Sequence, residues 1–101
     1  MNRVSDYIIK FLEDRGIEDV FMISGGGAMF LNDAVALNDN VNAFFCHHEQ
    51  ACAMAAVGYA KYSNDISAVI VTTGCGSTNA LTGLLDAWQD SVPCLFFSGQ
   101  V

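Results

Sequence analysis

Glu49 is the side chain whose setting is hardest to explain by packing alone. It is the single formal charge between Val41 and Ala60, standing between an apolar run that ends at Cys46 and a stretch rich in small residues, Gln50 to Tyr62. A carboxylate drawn into low dielectric has to be paired, hydrogen-bonded or protonated. A carboxyl kept protonatable in a buried site is suited to general acid–base work. The plainer reading puts Glu49 in the first turn of a helix, where the macrodipole favours a negative charge. His47 and His48 precede it, but adjacent residues rarely ligate one ion together and no second ligand pair is visible, so no metal site is expected. Cys46 beside His47 is a poor nucleophile and base, because neighbours in a strand point to opposite faces.

Two glycine turns add to the inventory. Ser24-Gly25-Gly26-Gly27 follows the apolar run Val20 to Ile23, and Thr72-Thr73-Gly74-Cys75-Gly76-Ser77-Thr78-Asn79 follows Ala68 to Val71. Phe30 stands where the third glycine or alanine of a dinucleotide fingerprint belongs, and the second turn lacks the lysine of a phosphate loop. Nucleotide binding is therefore not expected of either turn, and each glycine can equally serve turn geometry.

The elements that position these residues alternate. Val4, Tyr7, Ile8, Phe11 and Leu12 form the stripe of an amphipathic helix that Gly16 ends. A strand over Val20–Ile23 leads to a helix with Phe30, Ala34 and Leu37 on one face, closed by Asn38-Asp39-Asn40. Val41–Cys46 is a second strand and Glu49–Tyr62 a third helix, whose Ala51, Ala55 and Gly58 could let another backbone approach closely. After the turn Ser63-Asn64-Asp65 comes the strand Ala68–Val71, then the linker Thr72–Asn79. A fourth helix follows, with Leu81, Leu84, Leu85 and Trp88 as its apolar face, and then a strand over Val92–Phe97 whose early Pro93 suits a strand start. Trp88 and the methionines are assigned to core packing.

Helices alternating with doubly apolar strands over short connections predict an α/β fold, a three-layer α/β/α arrangement around a parallel sheet. All four strands then point one way, and Ser24 to Gly27, His47 to Gln50, Thr72 to Asn79 and Ser98 to Gln100 gather on the edge where open α/β sheets bind ligands.

Composition bounds the reading. The 101 residues make one small domain, with 52% apolar residues and seven Phe, three Tyr and one Trp, which excludes disorder. Four Lys and Arg against eleven Asp and Glu give a net charge of -7, which argues against nucleic acid or an anionic membrane as partner. No membrane span or signal peptide is evident, and a cytoplasmic setting is expected. Cys46, Cys52, Cys75 and Cys94 lack metal or disulfide spacing and are expected as buried free thiols.

Three stretches together carry a likeness: His48-Glu49-Gln50-Ala51 with the small-residue helix after it; Thr73-Gly74-Cys75-Gly76-Ser77-Thr78-Asn79-Ala80 with Gly83-Leu84-Leu85-Asp86-Ala87; and Asp90-Ser91-Val92-Pro93 through Ser98-Gly99-Gln100-Val101. In motif, order and spacing the chain resembles the N-terminal pyrimidine-binding domain of the thiamine-diphosphate-dependent enzymes, specifically the acetolactate synthase, pyruvate oxidase and benzoylformate decarboxylase group. The resemblance implies an incomplete thiamine-diphosphate-binding fold in which residues 1–101 are the N-terminal part of the pyrimidine domain. It implies that Glu49 hydrogen-bonds N1′ of the cofactor's aminopyrimidine and favours the imino tautomer whose 4′ nitrogen removes the C2 proton. Gln100 is implied to approach the reacting carbon and substrate, and Gly25, Gly26, Gly27, Thr73 and Asn79 to line the cofactor site. His48 precedes the glutamate as in many members, while Cys75 replaces a common proline.

The group's diphosphate and Mg2+ are held by a separate domain with a Gly-Asp-Gly motif, for which this sequence has no counterpart. The implied partner is that diphosphate-binding domain, in the same or a partner chain of a homo-oligomer. The implied substrate is a small 2-oxo acid, decarboxylated or carboligated, with no activity expected of these residues alone. The alternatives are a non-catalytic assembly module and one subunit of a split decarboxylase.

Overall fold

The β-branched run around Val69 forms the middle of the molecule. In a computed structural model, which describes residues 3–101, four strands form one sheet: β1 (Asp19–Met22), β2 (Asn42–Phe45), β3 (Ser67–Val71) and β4 (Cys94–Ser98). Their order is β2-β1-β3-β4 and every pairing is parallel. Val20 lies opposite Ala43 on one side and Ala68 on the other, and Val69 lies opposite Phe96. All five residues of β3 are buried, as a strand covered on both faces must be. Pro93 stands just before β4 and its carbonyl accepts from the Ser67 N–H at 3.2 Å, so its missing donor is not needed there.

Four helices cover the sheet: α1 (Val4–Asp14), α2 (Met29–Leu37), α3 (Glu49–Ser63) and α4 (Cys75–Gln89), with a single 3-10 turn at Gly26–Ala28. One core layer joins Ile9 and Leu12 of α1 and Ala34 and Val35 of α2 to Val20, Met22, Ala68 and Ile70. The other joins Cys52, Ala53 and Ala56 of α3 and Ala80 of α4 to Val69 and Val71. The three-layer α/β/α architecture expected from alternation is the one observed.

Several faces turn out differently. The buried line of α1 is Ser5, Ile9 and Leu12, one position round from the expected stripe, while Val4 and Tyr7 are exposed. In α2, Ala34 is buried but Phe30 and Leu37 face outward. In α4 the inward line is Gly76, Ala80, Gly83 and Ala87, leaving Leu81, Leu84, Leu85 and Trp88 exposed, Trp88 at 81%. Met22 is a core residue, whereas Met29 and Met54 are not. The close approach expected at Ala51, Ala55 and Gly58 occurs on a different line of α3. A methyl group on Gly83 would stand 2.2 Å from Cβ of Ala53, and one on Gly58 would meet nothing.

α4 also begins at Cys75, so Ser77, Thr78 and Asn79 belong to its first turns and not to a linker. Gly74, with φ of 65°, makes the entry, a left-handed conformation that other residues rarely adopt.

The cysteines are free, as expected, but not all buried: Cys52 is buried, Cys46 and Cys94 partly so, and Cys75 is exposed. Burial, with the neighbouring Cys46 thiol adding to it, pushes the Cys52 thiol up to about 12, far from the reactive thiolate range. A maleimide titration followed by mass mapping is expected to modify Cys75 first and Cys52 only after denaturant is added. Modification of Cys52 in the native protein at a rate matching Cys75 would contradict this packing.

Candidate functional site

In the order β2-β1-β3-β4 the chain leaves β1 for one side of the sheet and crosses to β3 on the other, so the crevice at the carboxyl ends of β1 and β3 is the switch point of the fold. The Gly25–Gly27 turn lies across it. The Gly27 N–H donates to Oγ1 of Thr72 at 3.1 Å. A Cβ on Gly25 would stand 2.5 Å from Cβ of Thr72, and one on Gly27 would stand 2.8 Å from Cγ2 of Thr73. Gly26 differs, since nothing lies within 4 Å of where its Cβ would be.

The end of β4 completes this corner. The Gly99 N–H donates to the Val71 carbonyl at 2.8 Å, extending the parallel ladder past both strands. The Thr73 hydroxyl donates to Oε1 of Gln100 at 2.8 Å. Ser77 donates its hydroxyl to the Thr72 carbonyl at 3.0 Å, and the Ser77 and Ser98 hydroxyls are hydrogen-bonded to each other. A cleft of about 220 Å3 opens beside this corner on the α1 and α2 side, lined in part by Ser5, Gly27, Phe30, Gly99 and Gln100.

Glu49 opens α3. His48 caps the helix, its Nδ1 accepting from the Gln50 N–H at 3.1 Å. The Asn79 amide donates to Oε1 of Glu49 at 3.1 Å, while Oε2 lies 3.6 Å from where a methyl on Gly76 would be. Glu49 is half-buried and not enclosed. The Asn79 amide above all, then the backbone N–H of Glu49 itself, holds its carboxyl below the usual range; desolvation works against this and the nearby His48 adds to it. Of the two readings left open by the sequence, a carboxyl kept protonatable by apolar surroundings and a carboxylate at a helix start, these hydrogen bonds favour the second. The group is an ionised, hydrogen-bonded carboxylate.

The residues singled out in the sequence therefore fall into two touching groups. Gly25, Gly27, Thr73 and Gln100 meet at one corner and Glu49 and Asn79 at the other. Thr72 joins them, because the missing side chains of Gly25, Gly27 and Gly76 all face it. Sequence reasoning does not single out Thr72. Its signal is a hydroxyl directly after the most buried strand, with glycines in both adjoining turns.

His47 is exposed, with no hydrogen bond among those described. No cluster of three or more His, Cys, Asp or Glu able to hold a metal ion occurs among the described residues. No Lys or Arg is hydrogen-bonded to Glu49, Asn79, Thr73 or Gln100 among the described residues: Arg3 pairs with Asp6 and Asp33 and lies over the Phe30 ring beside the cleft, Lys10 pairs with Asp14, Lys61 with Asp90, and Arg15 stacks on Phe11.

Residues 2–101 match the sequence model of the family described as thiamine pyrophosphate enzyme, N-terminal TPP binding domain. The chain belongs to this family. It is 41% identical over 97 residues to the acetolactate synthase large subunit of Lactococcus lactis, the match covering 96% of this chain and 17% of that protein. It is 39% identical to the isozyme 2 large subunit of Escherichia coli, covering 96% of the chain and 18% of the relative. It is 38% identical to the chloroplastic acetolactate synthase of Arabidopsis thaliana, covering 96% and 14%. The chain thus spans less than a fifth of the length of these relatives. As a TPP-binding N-terminal domain of acetolactate-synthase-like enzymes, it has the parallel α/β architecture described above, and no helix among its described residues is long and apolar enough to cross a membrane.

Proposed function

We propose that this chain supplies the aminopyrimidine-binding side of a thiamine diphosphate site in an acetolactate-synthase-like enzyme, and that Glu49 is the acid that meets N1′ of the cofactor ring. The observation that carries the reading is a carboxylate at the rim of strand ends with one oxygen held by Asn79 and the other facing the side-chain-free Gly76. The donor set fits half of the cofactor. A carboxylate suits a protonatable ring nitrogen, whereas a diphosphate needs cations or a metal, and each of the four Lys and Arg is already engaged by an acid or an aromatic ring.

Thiamine diphosphate, when bound, supplies a carbon nucleophile that attacks 2-oxo acid carbonyls. Glu49 holds or yields a proton at N1′. The Gly25–Gly27 turn and Thr73 shape the floor of the site, Thr73 orients the Gln100 amide, and Gln100 reaches toward the reacting centre. Once a partner domain covers the rim, water leaves Glu49 and desolvation raises its carboxyl toward the range where it can share a proton.

In this reading residues 1–101 are the first part of a pyrimidine domain. The diphosphate and Mg2+ sit on a second domain, in the same chain or in a partner chain of a homo-oligomer, and the substrate is a small 2-oxo acid in the cytoplasm. The exposed α4 residues Leu81, Leu85 and Trp88 support a partner domain there, since large apolar groups gathered on one helix mark an interaction surface. Isothermal titration of the full-length protein with thiamine diphosphate plus magnesium is expected to give saturable binding. No binding under those conditions, by a protein that light scattering finds assembled, would instead favour a non-catalytic assembly module.

A further inference from the structure

Helices α3 and α4 follow two parallel strands on one face of the sheet, so they run in the same direction and meet at a constant offset of about thirty residues. Three contacts mark the seam. The Asn79 amide donates to Glu49 at 3.1 Å, Gly83 faces Ala53 one turn further on, and Lys61 pairs with Asp90 at 2.8 Å near the far end. Val57 and Ala87, both buried, stand on the same line. Gly83 admits no Cβ without displacing Ala53, so the helix separation there is set by direct backbone approach. That separation is established one turn, four residues, from both Glu49 and Asn79.

We infer that Asn79 is a positioning residue for Glu49, its amide fixing one carboxylate oxygen so that the other is presented to the site, and that the Gly83 and Ala53 approach sets the distance at which it does so. The inference rests on the reading of Glu49 as the acid of the site, and it replaces direct cofactor contact as the role of Asn79. The side chain fits that role. An amide donor can hold a carboxylate without adding charge, and α4 brings no acid in its first turn. The other titratable groups around Glu49 are His48 on its N-terminal side and the buried Cys52 thiol one turn along α3.

The test is direct titration of the Glu49 carboxyl by carbon-13 NMR in the full-length protein with no cofactor present. Asn79→Ala is expected to move the Glu49 midpoint upward, and Asn79→Asp to move it further by like-charge repulsion, with the amide spectrum elsewhere unchanged. Gly83→Ala, which alters neither group, is expected to move it the same way. Combining it with Ala53→Gly partly reverses the shift, since the added methyl then meets the residue 53 backbone at 3.1–3.2 Å in place of a Cβ at 2.2 Å. In the loaded full-length enzyme, Asn79→Ala lowers the C2 proton exchange rate by up to about 10²-fold, the effect of an acid displaced by about 1 Å. An unmoved Glu49 midpoint in a folded Asn79→Ala protein overturns the inference. A moved midpoint in a full-length protein that binds no thiamine diphosphate supports the pairing and overturns the cofactor reading instead.

Discussion

Glu49→Gln in the full-length enzyme is expected to slow C2 proton exchange of bound thiamine diphosphate by about 10²- to 10⁴-fold, the range for loss of a positioned acid or base. The substitution keeps shape and one acceptor oxygen but removes the ionisable oxygen that would share a proton with N1′. Cofactor affinity is expected to fall far less if, as proposed, a second domain holds the diphosphate half of the molecule, and the separation of the two effects is the diagnostic. Exchange measured by quenched-flow NMR that matches the unmodified enzyme would remove Glu49 from the chemistry. The carboxyl also links stability to pH. Its folded-state value lies below the usual range, so its hydrogen bond from Asn79 contributes above ordinary carboxylate pKa values, about 4.3 for glutamate, and is lost as pH falls through the lower folded value. Glu49→Gln abolishes that acid-side component.

Gly99→Ala carries the second large effect, on the fold and not on the chemistry. Gly99 is buried, its N–H is tied to Val71, and an added Cβ would stand 2.1 Å from the Gly27 carbonyl oxygen and 2.4 Å from its carbon. Both neighbours are backbone, so no rotamer change relieves the clash. Either the end of β4 lifts away, taking Gln100 from Thr73, or the Gly25–Gly27 turn lifts from Thr72. Overpacking of this kind costs about 1–3 kcal/mol, a large share of the roughly 5–15 kcal/mol that holds a domain folded. Urea denaturation is expected to show a loss near the top of that range for Gly99→Ala. Gly26→Ala, one residue from the same corner with open space around it, is the control and changes stability by no more than about 1 kcal/mol. Equal midpoints for the two variants would mean that the corner is looser than described.

The layers of this fold are legible in the sequence because a parallel sheet leaves a strong mark: short apolar runs, β-branched in β3 and aromatic in β2 and β4, alternating with helices. The rim was legible for the same reason, since parallel strands deliver every following turn to one edge. The helix faces were not. Hydrophobic weighting favours the large side chains, and it nominates Leu81, Leu84, Leu85 and Trp88 for the core. Yet α4 approaches α3 so closely that only Gly76, Ala80, Gly83 and Ala87 fit inward. Their spacing of four, three and four is itself helical and is the signal to trust where two helices share one sheet face. The state of Glu49 was illegible for a different reason. Apolar neighbours in sequence suggest enclosure, but the amide of Asn79, thirty residues away, has the largest effect on its carboxyl, and that contact is not local along the chain.

Because α3 and α4 interlock side by side, changes of chain length have unequal consequences in different places. Adding a residue between Ser63 and Ser67, outside both helices, leaves the geometry of the acid untouched. One added between Glu49 and Ala53 swings the carboxylate by about 100° around the helix and shifts it about 1.5 Å along the axis, out of reach of its amide. Natural variants of this domain should therefore differ freely in the length of that outer bend while never gaining or losing a residue within the opening turn of α3.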